Sequence, residues 1–165
     1  MVRLSKSRRK RPIPKGWSST ETIEKFGSGV VPSEPLYPGA TSLAINEAGE
    51  LVIFGGSEGT AGVYSVPQAK VLQSFQAGGA ITDAVWYQSQ PVVSTSSGAV
   101  KILGSEETTF TSHAGAANAL ALHPCGDILA STGVDKSFVF YDLVGRKAVT
   151  QVYTDSGMAV FLSMQ

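Results

Sequence analysis

The sequence predicts an all-β fold assembled from repeated four-stranded units, and three observations carry that prediction. Glycine is frequent, with 18 residues in 165 (about 11% against an ordinary ~7%), and eight prolines accompany it, so the chain turns often. Beyond residue 40, apolar segments four to seven residues long alternate with small or turn residues, and no long amphipathic helical pattern appears. The order of strand and turn then recurs at intervals of between 36 and 41 residues.

The first unit reads as strands over 41–45, 51–56, 61–65 and 71–75, with Ala48-Gly49-Glu50 as the first turn. The second places strands over 82–86, 91–95, 99–103 and 108–110. In the third they fall over 118–122, 128–132, 137–141 and 148–152, with Pro124-Cys125-Gly126-Asp127 in the turn. A period near 40 with four strands per unit is the signature of a β-propeller blade. The expected organisation is a partial propeller over 36–165, about three blades plus one strand, preceded by a basic, proline-rich linker over 1–35. Pro12, Pro14, Gly16, Pro32, Pro35 and Pro38 prevent a continuous helix through residues 12–39.

Composition narrows the classes of function. A hydrophobic share of 42% fills one core, and one domain is the most that 165 residues support. The single cysteine, Cys125, excludes an intrachain disulfide, and one Cys with two His cannot build a common structural zinc site. No apolar run approaches the ~20 residues of a membrane helix and no signal-peptide pattern opens the chain, so a soluble, intracellular protein with neither membrane partner nor cofactor is expected. The zero net charge conceals an asymmetry: Arg3, Lys6, Arg8, Arg9, Lys10, Arg11 and Lys15 give the first fifteen residues +7, and the remainder carries −7. The cluster Arg8, Arg9, Lys10 and Arg11 is of the type that serves nuclear import, contacts nucleic acid weakly, or stands as a solvated linker.

The third unit is the most informative. It reads Ser112-His113-Ala114-Gly115, then Leu122-His123-Pro124-Cys125-Gly126-Asp127, then Ser131-Thr132-Gly133-Val134-Asp135 through Tyr141-Asp142. Here the chain resembles a WD repeat. The resemblance implies a hydrogen-bonded chain across the blade from His113, Ser131, Asp135 and Tyr141, with Tyr141 standing where Trp is usual. An Asp carboxylate accepting a ring N–H, and a hydroxyl donating to the other ring nitrogen, pair otherwise buried polar atoms. The first unit offers Phe54, Glu58 and Tyr64 at matching places; the second keeps Ser94 and has Leu103. Ser131, His113 and Asp135 are also the residue types of a catalytic triad, but no G-x-S-x-G turn frames the serine, and the structural reading is adopted with no catalytic residue assigned. His123 is read as a turn residue and Trp86 as core. Glu58, Lys136 and Arg146 are contact positions only by virtue of lying in turns.

Taken with Lys6 to Pro14, Leu36-Tyr37-Pro38-Gly39, Thr82 to Trp86 and Gly133 to Ser137, the sequence resembles the pre-mRNA-processing factor nineteen family in its fungal form, over roughly residues 3–155. The resemblance implies a nuclear scaffold of a spliceosome-associated complex, with links to ubiquitylation and DNA repair. Its partners would be spliceosomal proteins and ubiquitylation substrates. Family members join a U-box, which recruits a ubiquitin-conjugating enzyme, to a coiled coil and a propeller. Neither U-box nor heptad repeat occurs here, so the ligase activity of the family is not expected from this chain. The alternatives are a truncated, non-functional fragment and an RNA-contacting module acting through the basic tail.

Overall fold

The computed structural model describes residues 39–154. The basic cluster Arg8, Arg9, Lys10 and Arg11, the linker assignment and the additional strand after residue 157 lie outside the described residues. Among the described residues twelve strands form: β1 (Ala40–Ile45), β2 (Leu51–Gly56), β3 (Thr60–Ser65), β4 (Lys70–Gln76), β5 (Ile81–Tyr87), β6 (Gln90–Thr95), β7 (Ala99–Ile102), β8 (Thr108–Thr111), β9 (Ala117–Leu122), β10 (Ile128–Gly133), β11 (Ser137–Asp142) and β12 (Lys147–Tyr153). They make three antiparallel four-stranded sheets in chain order, β1-β2-β3-β4, β5-β6-β7-β8 and β9-β10-β11-β12. These are the three blades expected, and the described fold is an incomplete propeller.

Alternation along the strands sends side chains to both faces of each sheet, and the faces meet between blades. Ile53, Ala61 and Val63 of the first blade pack on Ile81, Ala84, Trp86, Val93 and Leu103 of the second. Val92, Val100, Ile102 and Phe110 leave the second blade's opposite face to meet Leu120, Leu129, Val139 and Tyr141 of the third. Because the second blade is covered on both faces, β6 reads Pro91-Val92-Val93-Ser94-Thr95 with every one of these residues buried.

The innermost strands β1, β5 and β9 run alongside one another, and each is a sheet edge whose backbone groups need partners. Side chains of the neighbouring blade supply them. Thr41 Oγ1 donates to the Ile81 carbonyl (2.6 Å) and Thr82 Oγ1 to the Ala117 carbonyl (2.5 Å). Trp86 Nε1 donates to the Ala44 carbonyl (3.0 Å), and Asp83 Oδ2 accepts from the Leu120 N–H (2.8 Å). Trp86 is therefore a core residue with its indole N–H satisfied, as its apolar strand suggested.

Candidate functional site

His113 lies in the connection from β8 to β9, where the chain leaves the outer edge of one blade for the inner strand of the next. Its amide is held by the Gly98 carbonyl (3.3 Å), which directs the imidazole into the third blade. Ser131 projects from β10, Asp135 from the β10–β11 turn and Tyr141 from β11, where the register pairs Tyr141 with Leu129 and Ser131 with Val139. Gly133 is required by the close approach: a Cβ there would collide with His113 Nδ1 and Asp135 Oδ1.

The structure brings all four residues together. His113 Nδ1 lies 3.0 Å from Asp135 Oδ1, His113 Nε2 lies 2.6 Å from Ser131 Oγ, and Ser131 Oγ lies 2.8 Å from Tyr141 Oη. Asp135 also accepts from the Ser137 hydroxyl (2.8 Å), the Ser137 N–H (3.2 Å) and the Ala114 N–H (3.0 Å). Gln151 of the outer strand β12 closes the network, donating to Ser137 Oγ (3.0 Å) and to the Ser112 carbonyl (3.1 Å). Ser137, Ser112 and Gln151 were assigned no role from the sequence: Gln151 reaches Ser137 and Ser112 from 14 and 39 positions away, and no local pattern marks such contacts.

The charges fix the direction of donation. Burial alone would raise the Asp135 carboxyl, but hydrogen bonds from Ala114, Ser137 and His113 outweigh it and hold it at about 2, from an ordinary 3.8. An ionised Asp135 takes the Nδ1 proton, which leaves Nε2 as acceptor for the Ser131 hydroxyl, and Ser131 in turn accepts from Tyr141. Burial pushes the Tyr141 hydroxyl up, against hydrogen bonds to Ser112 and Ser131, so Tyr141 stays a donor. Protons are donated in sequence from Tyr141 to Ser131 to His113 to Asp135. Ser131 has no exposed surface and His113 is 5% exposed.

Three of the four equivalent places in the second blade are apolar, and the fourth is Ser97. The Ala77 amide donates to the Gly59 carbonyl as His113 donates to Gly98, and the ladders align Val93 with Ser131, Ser97 with Asp135 and Leu103 with Tyr141. Ala77, Val93 and Leu103 are almost fully buried together. Ser94, which sequence spacing set opposite Ser131, instead matches Thr132: the register places it one residue on, so it faces the third blade and bonds Thr82 Oγ1 (2.8 Å). In the first blade Phe54 stands at the Ser131 position, and a Cβ on Gly62 would collide with its ring.

The remaining turn residues divide. Glu58 and Lys136 are exposed, whereas Arg146 is tied down by the Glu106 carbonyl (2.8 Å), Thr108 Oγ1 (2.8 Å) and the Glu106 carboxylate (3.2 Å). Exposed His123 accepts from the Cys125 N–H through Nδ1 (3.2 Å), the geometry of a turn residue.

A WD domain, G-beta repeat, matches residues 104–142, which run from the outer edge of the second blade through β11 of the third and enclose all four residues of the polar chain. Pre-mRNA-processing factor 19 homolog 2 of Arabidopsis thaliana is 27% identical over 167 residues, covering 93% of this chain and 31% of that protein. Pre-mRNA-processing factor 19 of Oryza sativa subspecies japonica is 26% identical over 174 residues, covering 97% and 33%. The chain carries a WD repeat and is similar to pre-mRNA-processing factor 19 along nearly its whole length. It spans about a third of the length of these relatives. The solved structure of U3-55K superposes with a TM-score of 0.68 at 15% identity, over 73% of this chain and 41% of that one, a likeness of fold.

Proposed function

We propose that the chain acts as a protein-interaction scaffold in pre-mRNA splicing within the nucleus. The observation that supports this most strongly is the similarity to two pre-mRNA-processing factor 19 proteins, which extends over 93% and 97% of the chain and so beyond the WD repeat itself. His113, Ser131, Asp135 and Tyr141 act as a structural hydrogen-bond chain: a nucleophile must reach its substrate, and Ser131 is sealed beneath Tyr141. Recognition then falls to exposed rims and turns, with binding energy concentrated in a few anchors. By the same similarity the propeller presents partners and substrates to a ubiquitin ligase whose U-box is a separate element. Arg8, Arg9, Lys10 and Arg11 supply nuclear import.

A tagged form of the chain tests this reading. It concentrates in the nucleus, returns to the cytoplasm when the four basic residues are replaced by alanine, and co-purifies with splicing proteins in excess of a tag-only control. Uniform cellular distribution with no enrichment of splicing proteins refutes the reading. RNA binding that falls steeply with salt and disappears with the same four substitutions would instead assign the tail to nucleic acid.

A further inference from the structure

The outer strands β4, β8 and β12 are edges of their sheets, and an uncovered edge carries N–H and C=O groups that template another strand. β4 and β8 each keep half-buried or buried residues, whereas every residue of β12 is exposed. Two devices guard the first half of β12: Lys147 opens it, and a bulge at Val149 interrupts the ladder between Phe140 and Tyr141. Beyond the bulge neither device recurs. Thr150, Gln151, Val152 and Tyr153 pair in unbroken register with Phe140, Val139, Phe138 and Ser137, and the sequence carries no charge from Ala148 through Thr154.

One bond fixes the direction of each backbone group in this stretch. The Thr154 N–H donates to the Lys136 carbonyl at 2.8 Å and so points toward β11. Antiparallel ladders alternate, which turns the groups of Val152 and Thr150 toward β11 as well and those of Gln151 and Tyr153 away from it. Among the described residues nothing bonds these outward backbone groups. Side chains alternate across the sheet in the same rhythm: Val152 lies on the face of Phe138, its partner in the ladder, and Gln151 on the opposite face, where it reaches Ser137.

Outward groups at two positions, one residue apart, fit an antiparallel strand that presents its own groups at the same spacing. A second copy of β12 is such a strand, and Thr150-Gln151-Val152-Tyr153-Thr154 is nearly a palindrome about Val152. A two-fold axis at Val152 sets Gln151 of each copy opposite Tyr153 of the other, and four backbone hydrogen bonds form. Thr150 then faces Thr154 and Val152 faces itself, so one side of the joint is a ladder of β-branched pairs. No like charges meet within it, and Val152, 47% exposed in the single chain, is covered by its copy.

We propose that β12 is a self-association edge: residues 150–154 of two copies of this chain pair antiparallel about Val152 and join two blades into one eight-stranded sheet. Five residues from each copy are far fewer than the roughly 20–30 of a standard interface, so the dimer is weak and exchanges with monomer.

Sedimentation equilibrium of the 165-residue chain at rising concentration gives a mass that climbs from 17.2 kDa toward twice that value. Tyr153→Pro removes an outward N–H while leaving the bonds to β11 in place, and Val152→Lys sets two like charges against each other; both variants keep the circular dichroism of the parent and remain monomeric. An equal mixture of Val152→Lys and Val152→Glu dimerises again. A parent chain that stays at 17.2 kDa, a dimer that both single variants retain, or a mixture that stays monomeric overturns the proposal. Cross-linking reads the register independently. With Cys125 replaced by serine, Val152→Cys forms an intermolecular disulfide, because facing residues of a non-hydrogen-bonded pair have Cα atoms about 4.5 Å apart, and Thr150→Cys, which faces Thr154 instead of itself, does not. Equal cross-linking at the two positions, or none at Val152, refutes pairing about Val152.

Discussion

Removing the His113 imidazole strikes the centre of the polar chain, and the structure sets the size of the effect. His113→Ala takes from the Asp135 carboxylate a charge-assisted bond at 3.0 Å, worth about 1.5–3 kcal/mol. It also leaves the Ser131 hydroxyl, previously 2.6 Å from Nε2, with a buried proton and no acceptor, about 1–3 kcal/mol more. A loss of roughly 3–5 kcal/mol follows, a large part of the total stability of a domain. Ser131→Val alone strands His113 Nε2, takes from the Tyr141 hydroxyl one of its two partners, Ser112 remaining, and costs about 2 kcal/mol. The second blade already holds alanine and valine at these two places, as Ala77 and Val93, and the double variant removes both the Ser131 hydroxyl and His113 Nε2, the two groups that the single variants leave facing each other unpaired. It costs about as much as His113→Ala alone, a coupling of about 2 kcal/mol. Urea titrations followed by circular dichroism, extrapolated linearly, supply the four corners of the cycle. Losses that add to within about 0.5 kcal/mol would refute a cooperative network and leave packing as the cause.

Three further outcomes follow from the same geometry. Asp135 has its pKa lowered from 3.8 to about 2, so its contribution, of order 1–2 kcal/mol after allowance for screening, is present above pH 4 and fades as pH falls toward 2; acid titration of Asp135→Asn shows a flatter decline than the parent chain. Gly98 sits at φ 87° and a Cβ there would strike the His113 and Gly115 carbonyl oxygens, so Gly98→Ala lowers the melting midpoint sharply, whereas Lys136→Gly, at the matching turn position with φ 64°, leaves it unchanged or raises it. Trp86→Phe keeps the packing but strands the Ala44 carbonyl, and costs about 1 kcal/mol by denaturant midpoint.

The repeat was legible because strands alternate and turns recur on a fixed period, and the polar chain because His113, Ser131, Asp135 and Tyr141 stand at the spacing of a WD repeat. Ser94 was set one place out: spacing along the chain cannot show which of two adjacent strand residues faces which blade, and only the ladder settles Val93 against Ser131. The bonds that join blades had no local signal. Thr41, Thr82 and Asp83 entered the sequence reading only as members of strands, because the groups they bond, the Ile81 and Ala117 carbonyls and the Leu120 N–H, lie 35 to 40 positions away. Arg146 looked like a free turn residue because its partners Glu106 and Thr108 lie 40 and 38 positions away.

The most direct test of the interaction-scaffold reading is to purify the tagged chain from nuclear extract and quantify spliceosomal small nuclear RNAs against total RNA. Enrichment over a tag-only control that is lost with the fold in His113→Ala is the predicted result. Recovery of those RNAs at background level, from a chain shown by circular dichroism to be folded, would contradict a role in splicing.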